Sequence, residues 1–192
     1  MGVEASEQTR QRAAGDADET RLLLAAQGGD RQAFARLVEA YWPRLFRWLF
    51  HLTRDRHLAE DLSQETLLKA LANLHRFRAG TNFRAWLFRI GHNALANVHR
   101  ASRQRAPLPD DLPARGQGPD EAACSREALT DLATAVEHLP KDFKAALLLR
   151  VEEGLSFREI AGVLGLTEET ARWRVFKARQ KLMESVEPEK GS

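Results

Sequence analysis

The sequence predicts an all-α protein of two small helical domains joined by a flexible linker that contains proline and glycine, with a helix-turn-helix in the second domain. Apolar residues recur at spacings of three and four along most of the chain, and no segment of useful length alternates with a period of two. Residues 106–125 hold four of the seven prolines and few large apolar residues, which is typical of a linker. Residues 156–182 have the pattern of a capped helix, a tight turn and a basic second helix.

Charge is segregated along the chain, although the formal net charge is only +2. Residues 84–105 include five arginines and no carboxylate, whereas residues 1–19 are acidic. Cys124 is the only cysteine, so the chain cannot form an internal disulfide framework or a thiolate metal cluster. The six histidines lack the offsets of a metal site, and no apolar run suits a membrane span or a signal peptide. We therefore expect a cytoplasmic protein with no cofactor and no membrane association.

The first domain is predicted to begin after a disordered N-terminus, because residues 1–17 are polar, acidic and without an apolar period. A first helix begins at Asp18 and ends before Gly28. Asp30 caps a second helix, whose apolar residues keep one face through about five turns. Pro43 lies in the middle of that helix and is expected to kink or split it, since proline lacks a backbone donor and clashes with the preceding turn.

A third helix is predicted from Arg56 to Leu74, with a leucine-rich core side. Its core residues are expected to be Leu58, Leu62, Leu67, Leu71 and Leu74. The other side carries an acidic patch that contains one exposed apolar residue: Asp61, Gln64, Glu65 and Leu68. On composition alone, this patch is an ordinary solvated helix face.

A loop at residues 77–82 breaks the helical period, and a fourth helix is predicted from Phe83 to about Arg103. Arginines and amides lie mostly on one side of it. Aromatic rings, amides and arginines beside a glycine-containing loop are the groups that bind single-stranded nucleic acid, because rings stack on bases, amides bond to base edges and arginines hold phosphates. The alternative is that Phe83 and Trp86 are core residues, which is the preferred interpretation of Trp86.

The second domain is predicted to begin near Arg126 with an amphipathic helix that ends at Pro140. Another helix runs from Lys141 to Glu152 and is ended by Gly154. The tail at residues 187–192 is polar, and we expect it to be frayed.

The helix-turn-helix follows. Ser156 and Glu159 form a capping box for its first helix, Gly165 supplies the turn, and Thr167 can cap the second helix. The second helix meets no carboxylate between Glu169 and Glu184, and its cations are Arg172, Arg174, Lys177, Arg179 and Lys181. A helix-turn-helix of this kind lays its second helix in the major groove of DNA. The alternative is a solvated basic helix at a chain end.

Three segments resemble, in this order and spacing, motifs of the bacterial RNA polymerase sigma factors of the extracytoplasmic-function type, which form group 4 of the sigma-70 family. Residues 61–70, DLSQETLLKA, are similar to the segment that docks on the clamp helices of the largest polymerase subunit. Residues 82–100, NFRAWLFRIGHNALANVHR, are similar to the segment that captures the −10 promoter element. Residues 170–182, TARWRVFKARQKL, resemble the recognition helix for the −35 element.

The resemblance implies that residues 18–105 form sigma region 2, that residues 126–186 form sigma region 4, and that specific residues meet each partner. Polymerase docking would use Asp61, Gln64, Glu65 and Leu68. The −10 DNA would be bound by Phe77, Arg78, Thr81, Asn82, Arg89, Asn93, Asn97 and Arg100. The −35 DNA would be bound by Thr170, Arg172, Trp173, Arg174, Phe176, Lys177, Arg179 and Lys181. Among these, Arg174, Arg179 and Lys181 are expected mainly to hold phosphates.

The implied partners are core RNA polymerase, through its clamp helices and flap, promoter DNA in duplex and single-stranded form, and an anti-sigma factor. In the family, the loop at residues 77–82 takes a flipped-out base, and amides at the positions of Asn93 and Asn97 lie beside it. Two positions depart from the family pattern. Ala171 stands where a larger aliphatic residue is usual, and Trp173 where a small residue is usual.

Two other classes of protein compete with this interpretation. A stand-alone helix-turn-helix regulator has no use for the acidic patch on the third helix, and it usually needs a dimerisation surface. A helical adaptor for an acidic partner does not explain the loop and amides at residues 77–97. An enzyme is not expected, because the sequence has no GxxxxGK[ST], GxSxG or HExxH motif.

Overall fold

The computed structural model describes residues 17–78, 81–105 and 134–186, and it leaves out the side chains of residues 103–105 and 186. The described residues are helical and contain no strand, which confirms the all-α class. The helices are α1 (17–27), α2 (Arg31–Thr53), α3 (Arg56–Asn73), a 3-10 turn (Leu74–Arg76), α4 (Phe83–Arg105), α5 (134–138), α6 (Lys141–Val151), α7 (Phe157–Leu164) and α8 (Glu168–Val186). The predicted linker at 106–125, Cys124, most of the N-terminal segment and the tail lie outside the described residues.

The first domain packs α3 against both α2 and α4. The central helix α2 buries one face, which carries Leu37, Tyr41, Leu45, Trp48 and Leu49. The three helices approach closely at Gly91 of α4, where an added Cβ would lie 3.1 Å from Leu45 Cδ1 and 3.4 Å from Thr66 Oγ1. Glycine at this position therefore lets α4 sit against α2 and α3.

Pro43 was expected to kink or split its helix. Splitting is wrong, because α2 is continuous from Arg31 to Thr53. Asp30 caps the helix as expected, and its carboxylate accepts hydrogen bonds from the amides of Gln32 and Ala33. Buried residues lie on both sides of the proline, so packing against the neighbouring helices maintains the helix where one backbone hydrogen bond is lost.

The core side of α3 also differs from the prediction. Leu71, which was expected to be buried, is 47% exposed. Ser63 and Thr66 are buried instead, and their hydroxyls donate to the carbonyls of Ala59 and Leu62 within the helix. Hydroxyls that bond to the preceding turn need no outside partner, so these polar residues can occupy core positions.

The second domain contains the predicted helix-turn-helix, with its caps in place. The Ser156 hydroxyl accepts from the Glu159 amide at 3.3 Å, and Glu159 Oε2 accepts from the Ser156 amide at 2.7 Å, which completes the capping box. Gly165 ends α7 with φ of 67°, a left-handed conformation that favours glycine. Thr167 caps α8 by accepting from the Thr170 amide at 3.1 Å. The small Ala171 is fully buried in this domain.

The two domains share an interface, which the sequence analysis did not anticipate. Helix α4 packs against α7, and α2 packs against α6. Trp48 is 1% exposed, and its indole donates to the carbonyl of Ala145 at 3.5 Å across this interface. The buried apolar residues of both domains therefore form one continuous cluster.

Candidate nucleic-acid and protein interfaces

The acidic patch of α3 lies at the surface, as predicted. Asp61, Gln64 and Glu65 are exposed. Leu68 is 60% exposed, and Leu71 continues the apolar strip. We refer to these five residues as the α3 acidic surface. Two apolar side chains bordered by carboxylates have the composition of a protein-docking site, because the apolar centre supplies binding energy and the charged rim selects the partner.

The loop before α4 is ordered by local hydrogen bonds in the residues that the structure describes. The Thr81 hydroxyl donates to the Arg78 carbonyl at 2.7 Å. Asn82 Oδ1 accepts from the Ala85 amide at 3.2 Å, so Asn82 caps α4. Its Nδ2 donates to Glu159 of the second domain at 2.7 Å. Arg78, Thr81 and Asn82 are all exposed.

Phe77 differs from the other predicted loop contacts, because its ring is buried rather than presented to solvent. It is 6% exposed and packs on Phe83 and Trp86, with centroid distances of 5.4 Å and 5.3 Å. Phe83 is itself 2% exposed, which agrees with the core interpretation, and Trp86 is partly buried. In this structure the Phe77 ring therefore packs underneath the loop, and it is not exposed for stacking on a base.

The outer face of α4 carries the predicted arginines and amides together. Arg89, Asn93, Asn97 and Arg100 are exposed. Their spacings of four, four and three residues place them on one side of the helix. Guanidinium groups and amides in a row are suited to phosphates and base edges respectively.

The exposed surface of α8 includes Arg172, Trp173, Phe176, Arg179 and Lys181. Arg172 Nη2 lies 3.3 Å from Glu168 Oε1, and the Arg172 guanidinium carbon lies 5.2 Å from the ring centroid of Phe157. Trp173 is 49% exposed and packs edge-to-face on Phe143, with centroids 5.5 Å apart. Phe157 is partly buried at the start of α7, and its contact with Arg172 depends on the fold of the turn.

Three predicted −35 residues are less accessible than the others. Arg174 has a side chain only 19% exposed and pairs with Asp142 Oδ2 at 2.9 Å. Lys177 is half-buried, and its ammonium donates to Gln180 at 2.9 Å. The Thr170 hydroxyl is 2.8 Å from that of Thr167, within the cap of α8. In this structure, Arg174 is held within the second domain by a carboxylate rather than presented as a free phosphate contact.

Glu137 and Glu153 lie at the interface between the domains, and each carboxylate is surrounded by basic side chains. The sequence did not predict this role. Burial alone would raise the pKa of Glu137, but Lys144, His51 and Arg54 hold that pKa below its usual value. Burial raises the pKa of Glu153, and Arg44 and Arg84 oppose that shift. Neither glutamate lies in a motif, so only the fold reveals them.

The described residues contain no group of His, Cys, Asp or Glu side chains arranged to hold a metal ion. Within the same residues, no helix is both long and apolar enough to cross a membrane.

Comparison with known proteins matches both domains to one family. The model for Sigma-70 region 2 matches residues 37–105, and the model for Sigma-70, region 4 matches residues 129–182. The RNA polymerase sigma-H factor of Pseudomonas aeruginosa is 31% identical over 87% of this chain and 93% of its own length. The ECF RNA polymerase sigma-E factor of Haemophilus influenzae is 30% identical over 87% and 94%. The chain is an extracytoplasmic-function sigma factor.

Solved structures support the same assignment for this sigma factor. CnrH, in complex with the cytosolic domain of CnrY, has a TM-score of 0.62 and 26% identity, covering 87% of this chain and 96% of that one. RpoE of Bartonella quintana, in complex with the anti-sigma factor NepR, has a TM-score of 0.62 and 27% identity, covering 80% and 96%.

Proposed function

We propose that this sigma factor binds core RNA polymerase and directs transcription initiation at promoters with −35 and −10 elements. The observation that carries the proposal is the presence of both sigma regions in one chain, each with an exposed surface of suitable chemistry. The sigma factor itself is non-catalytic, and polymerase performs the chemistry in the cytoplasm. A stand-alone helix-turn-helix regulator is not favoured, because it gives region 2 no role.

Polymerase docking is assigned to the α3 acidic surface. Leu68 would enter an apolar site on the clamp helices of the largest subunit, with Asp61 and Glu65 facing basic side chains around it. Gln64 lies on the same exposed face and would form a polar rim contact. Interfaces of this kind gain most of their binding energy from a few central apolar anchors, while charged rims guide association.

The melted −10 strand is assigned to the loop and the outer face of α4. Arg78, Thr81 and Asn82 would surround a flipped-out base, with Asn93 and Asn97 reading base edges. Along the same face, Arg89 and Arg100 would hold phosphates. Removing a base from the stack costs a few kcal/mol, so the pocket must recover that energy through its contacts. The buried Phe77 ring would contribute to −10 binding indirectly, by packing underneath the loop and holding it in place.

The −35 duplex is assigned to α8. Arg172, Trp173 and Phe176 would read base edges and methyl groups from the exposed face, together with Lys177. Arg179 and Lys181 would hold phosphates, and Thr170 would contact the backbone at the start of the helix. Arg174 can join the phosphate contacts only if its pair with Asp142 is rearranged. Charge neutralisation of this type makes affinity depend on salt.

An anti-sigma factor is a further proposed partner. The related CnrH and RpoE were solved in complex with the cytosolic domain of CnrY and with the anti-sigma factor NepR. We propose that this sigma factor is likewise held inactive by a protein of that type until a signal releases it. The polymerase flap is a further proposed partner, and it would contact the surface of region 4.

Reconstituted transcription tests the proposal. The purified chain is mixed with core polymerase from its own organism and a library of genomic fragments, and transcript starts are mapped. We expect starts at a shared pair of sequence elements, which are absent when core polymerase is used alone. A folded chain that yields no specific start on any fragment would refute the proposed function, whereas specific DNA binding without polymerase would favour the stand-alone regulator.

A further inference from the structure

Gln27, the last residue of α1, bridges two backbone carbonyls where the chain enters the loop at residues 77–82. Its Nε2 donates to the Leu74 carbonyl at 2.8 Å and to the Phe77 carbonyl at 2.7 Å, across 47 and 50 residues of sequence. A glutamine amide nitrogen carries two hydrogens, so both of its donors are used. One side chain therefore holds the start of the 3-10 turn and the residue that follows the turn.

Helical hydrogen bonding ends at Phe77, so its carbonyl needs a donor from another part of the chain. The Phe77 backbone is extended, with φ of −69° and ψ of 127°. The residue is 6% exposed, so little water surrounds it. A backbone carbonyl that is shielded from water is costly unless a donor reaches it. Gln27 supplies that donor, and it thereby fixes the orientation of the peptide group between Phe77 and Arg78.

Helix α1 is itself anchored on the first domain, so the Gln27 side chain projects from a fixed support. Leu23 and Ala26 of α1 are buried in the apolar core. The Tyr41 hydroxyl of α2 donates to the Glu19 carboxylate of α1, which adds a polar link to the apolar packing. Packing of this kind restricts the position of the helix end, so the two hydrogen bonds of Gln27 transmit that position to the turn.

The turn that Gln27 holds leads directly into residues assigned to −10 recognition. Arg78 follows Phe77, and its carbonyl accepts from the Thr81 hydroxyl at 2.7 Å and from the Thr81 amide at 3.2 Å. Arg78 and Thr81 are exposed, whereas Gln27 is half-buried and lies outside the segments predicted to bind DNA. A rotation of the peptide group after Phe77 would therefore displace both exposed residues.

We propose that Gln27 is a positioning residue for recognition of the −10 strand. Its amide keeps Arg78 and Thr81 in the arrangement that receives the flipped-out base, and Gln27 itself touches no DNA. A loop held in one arrangement discriminates between bases, because its backbone cannot shift to accommodate a base that fits poorly. Helix α1 thus contributes to promoter selectivity through the turn. This inference rests on the proposed function.

Hydrogen exchange of single backbone amides in the free chain, measured by NMR, tests the effect on the loop. Gln27→Met removes both donors but keeps the length and helix propensity of the side chain, whereas Gln27→Lys keeps donors at a similar reach. Gln32→Met is the matched control, because it makes the same change at an exposed glutamine of α2. We expect the Phe77 and Thr81 amides to exchange about tenfold faster in Gln27→Met, and within about twofold of the unchanged chain in the other two variants.

Promoter selectivity is the second readout. Each variant is combined with core polymerase on four templates that differ only at the flipped −10 base, and transcript yields are compared. The ratio of yields between the preferred base and the others should fall about tenfold in Gln27→Met and stay within about twofold in Gln27→Lys and Gln32→Met. Affinity for core polymerase, measured by titration, should be the same for all four proteins.

Three results would overturn the role of Gln27. Exchange that accelerates equally in α2 and at Phe77 would mean that Gln27 only stabilises the domain. Equal selectivity in Gln27→Met and the unchanged chain would mean that the turn does not control recognition. Equal losses in Gln27→Met and Gln27→Lys would mean that the donors are not what matters. If the unchanged chain gives no promoter-specific start, the proposed function itself fails, which is a different outcome from these three.

Discussion

Leu68 offers the sharpest test at the level of single residues, because it is an exposed leucine inside a ring of polar groups. Leu68→Asp should weaken binding to core polymerase about 30-fold or more, since central apolar anchors contribute roughly 2 kcal/mol or more to an interface. The measurement is a titration of labelled sigma factor with core polymerase. Leu24→Asp is the control, because Leu24 is 53% exposed and belongs to α1 rather than to the α3 acidic surface. Equal losses for both variants would contradict the assignment of the docking site.

Arg172 and Lys181 separate base recognition from phosphate contact on the same helix. Arg172→Ala should cost about 1–3 kcal/mol at the preferred base and relax the preference at one −35 position. Lys181→Ala should weaken binding evenly across sequences and lower the salt dependence by about one ion. Binding to a set of −35 duplexes that differ at single positions, at several salt concentrations, measures both effects. An even loss across the duplexes for both variants would show that this division of roles is wrong.

Among the elements, α7 depends most visibly on its cap, because it has only eight residues. Ser156→Ala removes the acceptor for the Glu159 amide, and it should lower the free energy of unfolding by about 1 kcal/mol. Chemical denaturation followed by circular dichroism gives the value. Ser185→Ala, at the exposed last turn of α8, is the matched control and should change stability by less than about 0.5 kcal/mol. Equal effects would mean that the capping box does not stabilise α7.

The sequence predicted the elements best where the determinants are local. The caps at Asp30, Ser156 and Thr167 and the turn at Gly165 lie within four residues of the groups they bond, so composition and spacing reveal them. The continuity of α2 at Pro43 and the exposure of Leu71 were not predicted, because both depend on neighbouring helices. Packing maintains α2 through the proline, and the core side of α3 includes two hydroxyl residues in place of a leucine.

At the level of the whole molecule, the sequence predicted two domains but not how they meet. Arg84 and Glu153 are 69 residues apart, and neither belongs to a repeating apolar pattern. Glu153 precedes Gly154 at the end of a helix, a place where a charged residue is ordinarily solvated. Contacts between polar residues that are distant in the chain have no signature in spacing or composition, so only the structure reveals this interface. The same holds for the ion pair with Asp142 that makes the Arg174 side chain less accessible.

The cluster of buried apolar residues shared by the two domains has a consequence for how the chain unfolds. Trp48 and Ala145 belong to different domains but to one cluster. Loss of packing in either domain therefore exposes apolar surface of the other, so the two domains are expected to unfold in one cooperative transition rather than in two.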